Sequence, residues 1–172
     1  MKKHLQYLTA VAGACLLAAC GGSDAPPPAA DDAAATPAAT TAAAPAADAP
    51  APTPESTDTI DGTTLASFTA DVAHGEEVFA QCMTCHVLEA GVNRVGPSLA
   101  GIIGRAAGTV EGYNYTPANA NSGITWTPEK MFQYLENPQR VVPGTKMAFA
   151  GLPAGQDRAD VIAYIQANGG SQ

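Results

Sequence analysis

Apolar side chains are spread unevenly along the chain, and their spacing divides it into three stretches. A nearly unbroken apolar run covers 8–19, directly after the basic start Met1-Lys2-Lys3. From Gly21 to about Ile60 no period survives: Ala, Pro, Thr, Asp and Ser dominate, and eight of the fourteen prolines fall here. Such a stretch has too little apolar surface to offset its backbone entropy, which predicts a disordered, partly polyproline linker. Beyond Asp61 helical spacing returns. A helix is expected over 71–82. A second starts at Thr127, a good N-cap, with Pro128 in the first turn, and stops at Asn137-Pro138. Met131, Tyr134 and Leu135 share one face of it. A third, over about 157–168, carries Val161, Tyr164 and Ile165 on one stripe, with Gly169 just past its end.

The first stretch has the form of an export signal, a short basic segment followed by about a dozen apolar residues, too short to span a bilayer as a mature helix. Leu17-Ala18-Ala19-Cys20 resembles the bacterial lipobox, in which the cysteine becomes an acylated N-terminus. An ordinary signal peptide is the alternative. Cys15 fits less well, because Ala12 stands where the motif prefers leucine. Acyl chains gain about 0.8 kcal/mol per buried methylene, enough in combination to hold a protein at a membrane. The expected organisation is a signal over 1–19, a lipidated start and linker over 20–60, and a folded domain over 61–172. That organisation implies a lipid-anchored protein on the periplasmic side of a bacterial membrane. Its leash reaches about 120 Å if fully extended at about 3.1 Å per residue.

Charge and cysteine count narrow the chemistry. The 172 residues carry a net charge of −8, which becomes −10 without the signal and −4 from Asp61 onward. Such a surface is a poor match for nucleic acid. The folded part is large enough for one small core, though marginal without a cofactor, metal or disulfide. Four cysteines suggest two disulfides in an exported chain. With Cys15 removed and Cys20 acylated, only Cys82 and Cys85 remain for the domain.

Those two thiols lie in Cys82-Met83-Thr84-Cys85-His86. A zinc site wants four ligands, and His74 is the only further histidine in the domain. A thioredoxin-like pair wants a strand–helix–strand setting, and the Gly- and Pro-rich sequence that follows offers no buried strand. Cys-x-x-Cys-His is also the c-type haem attachment signature. Two thiols three residues apart can add to two vinyl groups of one porphyrin, and the next residue supplies an imidazole to the iron. A second axial ligand would come from Met83, Met131, Met147 or His74. Met83 lies inside the attachment turn, Met131 falls in a helical pattern, and His74 near a helix start suits solvent. Met147 sits in the loop "VPGTKMAFAG", from which a thioether could reach a haem, although gap-filling is the usual role of a methionine.

Further motifs occur in order: "GEEVFAQCMTCH", "VGPSLAGIIGRAAG", "GYNYTPAN", "GITWTPEKMFQYLENP", "PGTKMAFAGL" and "DRADVIAYI". Through them residues 71–168 resemble class I cytochrome c, the mitochondrial-type branch and its bacterial relatives. The resemblance implies a small all-α fold of about three to five helices and long loops around one covalent haem c. It implies thioethers at Cys82 and Cys85, and His86 and Met147 as iron ligands. Pro97 would accept the imidazole N–H. Arg105, Tyr115 and Trp126 would bond the propionates, and Asn119, Tyr134 and Thr145 would form a polar network on the methionine side. The first and last helices would cross, with Gly75 allowing close approach and Phe79 packing near Tyr164.

The implied function is one-electron transfer between membrane complexes of a respiratory or photosynthetic chain. The expected donor is quinol–cytochrome c reductase-like and the expected acceptor terminal oxidase-like, with the chain a monomer and not an enzyme. A haem peroxidase or gas sensor with a displaceable methionine is the competing expectation. One departure stands out: Gln81, Gln139, Pro153, Ala154 and Gly155 replace lysines common in mitochondrial relatives, while Arg140 and Lys146 remain.

Overall fold

A computed structural model describes residues 50–171. The expected signal peptide, Cys20 and the linker as far as residue 49 lie outside the described residues. Five α-helices follow in chain order: α1 (Val72–Phe79), α2 (Pro117–Ala120), α3 (Pro128–Glu136), α4 (Pro138–Val141) and α5 (Gly155–Ile165). No strand forms among the described residues. The nearest approach is one bridge between Ala106 and Thr125, flanked by Trp126 N–H to Arg105 carbonyl (2.9 Å) and Ala107 N–H to Ile124 carbonyl (2.8 Å). The all-α expectation holds. None of the described helices is long and apolar enough to cross a membrane.

The helix starts follow their caps. Asp71 accepts from the N–H groups of Ala73 and His74 at 2.8 and 3.3 Å and opens α1. Thr127 accepts from Lys130 N–H at 3.1 Å and opens α3, with Pro128 at its first position. Asn137-Pro138 ends α3 as expected, but it also starts α4: Asn137 caps Arg140 N–H at 3.1 Å, and Pro138 needs no amide partner at a helix start. α1 is shorter than the expected 71–82, because the chain tightens into turns from Ala80 onward. α5 begins two residues early and continues in a wider turn over Gln166–Gly170, where Gly169 takes φ 108°.

Helices α1 and α5 cross closely. Any Cβ at Gly75 would overlap the Asp160 carbonyl and stand 2.9 Å from the Tyr164 Cβ, so the contact requires glycine. The Phe79 and Tyr164 rings pack one step further along, with centroids 5.1 Å apart. His74 is not simply solvated, as its position suggested. Its Nδ1 meets the buried Asp160 carboxylate at 2.7 Å, tying the start of α1 to α5.

The end of the expected linker is ordered. Residues 53–63 lie across α3 and α4 as a strap, and they supply partners for three buried polar side chains. Lys130, 2 % exposed, places its ammonium on the carbonyls of Thr53 (3.1 Å) and Ser56 (2.7 Å) and on Gln133 Oε1 (2.7 Å). Three acceptors match the three N–H groups of a lysine. Gln133 in turn donates to the Asp58 carbonyl at 2.8 Å. Arg158, fully buried, bonds Asp61 Oδ2 at 2.6 Å and stacks 4.4 Å from the Phe132 ring centre. Burial acts to raise the Asp61 pKa, but the Arg158 guanidinium and the Thr63 hydroxyl and N–H outweigh it and hold the carboxyl well below its ordinary value. Glu136 closes the strap by accepting from Ile60 and Asp61 N–H groups at 2.6 and 3.0 Å. Helix α3 is therefore buried on its polar side as well as its apolar one.

Candidate functional site

The chain leaves α1 through two successive turns. Cys82 N–H bonds the Phe79 carbonyl (2.8 Å), and Cys85 and His86 N–H groups bond the Cys82 carbonyl (3.0 and 2.8 Å). These turns bring Cys82, Cys85 and His86 to the wall of a single apolar cleft of about 250 Å³. The two cysteines are not joined in a disulfide. Burial, and to a lesser degree the neighbouring Cys85, pushes the Cys82 thiol up to about 11.

His86 is held in one tautomer. Its Nδ1 lies 2.8 Å from the Pro97 carbonyl, which can only accept, so Nδ1 carries the proton and Nε2 keeps a lone pair. Burial lowers the His86 pKa, with the Pro97 bond opposing, and the ring stays neutral as a metal ligand must. Gly96 makes room for it: a Cβ there would stand 2.7 Å from Nδ1 and 2.8 Å from Nε2.

Met147 lines the same cleft. Its sulfur accepts from the Tyr134 hydroxyl at 3.3 Å, and its N–H reaches the Thr145 hydroxyl, also at 3.3 Å. Met131, Tyr134 and Leu135, the face expected to be buried on α3, all join the lining. Trp126 packs edge-on against Tyr134 at 4.8 Å. Asn119 also lines the cleft, and its Oδ1 is buried without a hydrogen-bond partner.

Of the eleven residues expected in or around the iron site, ten line this cleft; Arg105 does not. Its guanidinium donates to the carbonyls of Ala100 (2.6 Å) and Ser98 (3.0 Å), and burial lowers its pKa while nearby Tyr115 opposes that shift. Met83 is half exposed and takes no part in the lining, and neither does His74. Sequence reasoning missed Leu99, Ile102, Val161 and Phe149 in the wall, although the period of α5 implied Val161. It also missed Tyr113, whose hydroxyl bonds the Val95 carbonyl at 2.7 Å and whose ring carries the Lys146 ammonium at 4.3 Å.

The donor set suits an iron porphyrin. A neutral imidazole and a thioether are ligands of low-spin haem iron, two thiols stand beside them, and the orphaned Asn119 oxygen marks a cleft built around a further group.

The cytochrome c family profile matches residues 72–168, more than half of the chain. The chain belongs to the cytochrome c family. It is 50 % identical over 97 residues to cytochrome c2 of Rhodopila globiformis, covering 56 % of this chain and 92 % of that protein. Cytochrome c 2.1 of Caenorhabditis elegans is 48 % identical over 97 residues, covering 56 % of this chain and 87 % of that one. The solved structure of cytochrome cH from Methylobacterium extorquens superposes with a TM-score of 0.54 at 41 % identity, covering 57 % of this chain and 99 % of that one. Cytochromes c carry a covalently attached haem c with iron, for which Cys82 and Cys85 are the candidate attachment residues. They are electron carriers. The strap at 53–63 precedes the matched segment.

Proposed function

We propose that this cytochrome c is a one-electron shuttle, not an enzyme, held to a membrane through Cys20. The observation that carries the reading is the sharing of one apolar cleft by two thiols, the His86 imidazole and the Met147 thioether. A covalently attached haem supplies a one-electron couple, with a potential raised by His/Met ligation. The chain's own groups hold it. Cys82 and Cys85 attach it, His86 Nε2 and Met147 Sδ ligate, and Pro97 fixes the imidazole. Tyr115, Trp126, Asn119 and Thr145 line the space around it, and Arg105 would turn from its carbonyls to a propionate. The bonds on the Met147 loop favour this reading over a haem peroxidase or gas sensor, which needs an open coordination position.

The partners we propose are a quinol–cytochrome c reductase-like donor and a terminal oxidase-like acceptor, on the periplasmic side of a bacterial membrane. Long-range charge gives little steering toward them. From Asp61 onward only six bases are present, and Lys130 and Arg158 among them are buried. A lipid tether replaces that steering by raising the local concentration.

The test is the purified protein matured in a host that attaches haem. A ferric spectrum with the red charge-transfer band of thioether ligation, and a single reversible one-electron wave, are expected. A colourless protein, or one with an open sixth position, overturns the reading.

A further inference from the structure

The loop that presents Met147 has no regular structure over residues 146–151, so side chains must hold it. The inner ones, Tyr134 and Thr145, belong to the set already described. An outer one does not. Gln139, exposed on α4, points its carboxamide at the loop, with Nε2 3.0 Å from the Thr145 carbonyl and 3.4 Å from the Met147 carbonyl. Both neighbours can only accept, so the NH₂ end of the amide faces the loop and each of its two hydrogens has a partner. The two carbonyls flank Lys146, whose ammonium bonds the Asn114 carbonyl and covers the Tyr113 ring. The loop is thus gripped from α4 on one side and from residues 113–114 on the other.

The mount under Gln139 is rigid. Asn137 caps α4, Pro138 and Val141 are buried, and Arg140 bonds the Asp58 carbonyl of the strap at 3.2 Å. A lysine at position 139 would hold a strongly hydrated point charge without a planar pair of donors. The neutral amide spans two carbonyls at fixed geometry.

We propose that Gln139 is a positioning residue for Met147, a clamp that sets how readily the thioether leaves the sixth coordination position. This rests on the reading of Met147 as an axial ligand. Two neutral hydrogen bonds at a partly exposed site hold the loop, and their loss shifts the ligand-on/ligand-off balance by about five- to tenfold.

The experiment titrates the ferric holoprotein with imidazole, which competes with the thioether. Gln139→Leu removes both donors at similar volume, and Gln139→Arg restores N–H groups on a longer arm. Gln139→Leu should bind imidazole about five- to tenfold more tightly, and Gln139→Arg should return to within about twofold of wild type. Denaturant unfolding of all three forms separates a clamp from general loosening. Imidazole affinity unchanged in Gln139→Leu overturns the proposal. So does a tightening that tracks a loss of global stability and is not reversed in Gln139→Arg. A wild-type protein without the thioether band overturns the ligand assignment itself and the clamp with it, which distinguishes the two failures.

Discussion

At the scale of single residues, the cleft places His86 and Met147 each beside a partner that fixes it. His86 is locked by a carbonyl, so its lone pair is committed to the cleft. The Met147 sulfur accepts one hydroxyl. That bond draws electron density from the thioether, which favours the reduced state of a metal it ligates. Tyr134→Phe removes the hydroxyl with little change in volume. We expect the midpoint potential to fall by about 20–40 mV, the equivalent of about 0.5–1 kcal/mol for a one-electron couple. Potentiometric titration checks this, and an unchanged or higher potential would show that the contact has no electronic role.

Among the elements, two long-range polar links join helices and strap, and each makes a prediction. The first is His74 with Asp160. The Asp160 hydrogen bond raises the His74 pKa above its ordinary 6.5, with burial opposing and Asp157 and Glu77 adding to it. On the other side, burial would raise the Asp160 pKa, but bonds from Asp71 N–H, His74 and Gln156 hold it low. A histidine whose pKa is raised on folding contributes in full below about pH 6.5 and loses that contribution as pH climbs past the raised value. Wild type should therefore gain stability relative to His74→Gln on going from about pH 8 to pH 6. Parallel denaturant curves for the two proteins would reveal it, and a constant difference would refute it. The second link is Lys130. In Lys130→Met the carbonyls of Thr53 and Ser56 lose their donor, and the strap should loosen at a cost of about 2 kcal/mol. Faster proteolysis within 50–63, with the haem spectrum intact, is the accompanying sign.

For the whole molecule, the strap would decide where the proposed tether begins. It is bound to α3 and α4, the elements that also carry Tyr134 and Gln139, so the membrane leash would start from a fixed point on the domain rather than from a flexible end. With Lys130 and Arg158 turned inward, only four of the six bases from Asp61 onward reach the exterior, and attraction by a positive field is weak. If the proposed tether and oxidase-like acceptor hold, Cys20→Ala, at native abundance in intact cells, should lower terminal-oxidase turnover severalfold, because the local concentration is lost. Unchanged oxygen consumption would remove the tether from the account. Purified domain and partner should also exchange electrons at a rate that changes little with added salt.

What was legible beforehand was local. Cys82-x-x-Cys85-His86 names its chemistry because attachment and ligation need residues within one turn. Asp71, Thr127 and Asn137-Pro138 mark helix ends through bonds to amides two or three residues away, and α3 and α5 show their apolar stripes directly. The strap as far as residue 60 was read as linker because its composition lacks apolar side chains, and composition says nothing about main-chain carbonyls. Its order comes from donors 74 to 97 residues distant: once buried, Lys130 and Gln133 need the carbonyls of Ser56 and Asp58, and Arg158 needs the Asp61 carboxylate. The His74–Asp160 pair and the Gln139 clamp were hidden for the same reason. The sequence alone determined the haem-attachment chemistry and the principal helices, since both are written in neighbouring residues. Only the tertiary structure decided which buried polar groups find partners, since that depends on segments brought together by folding.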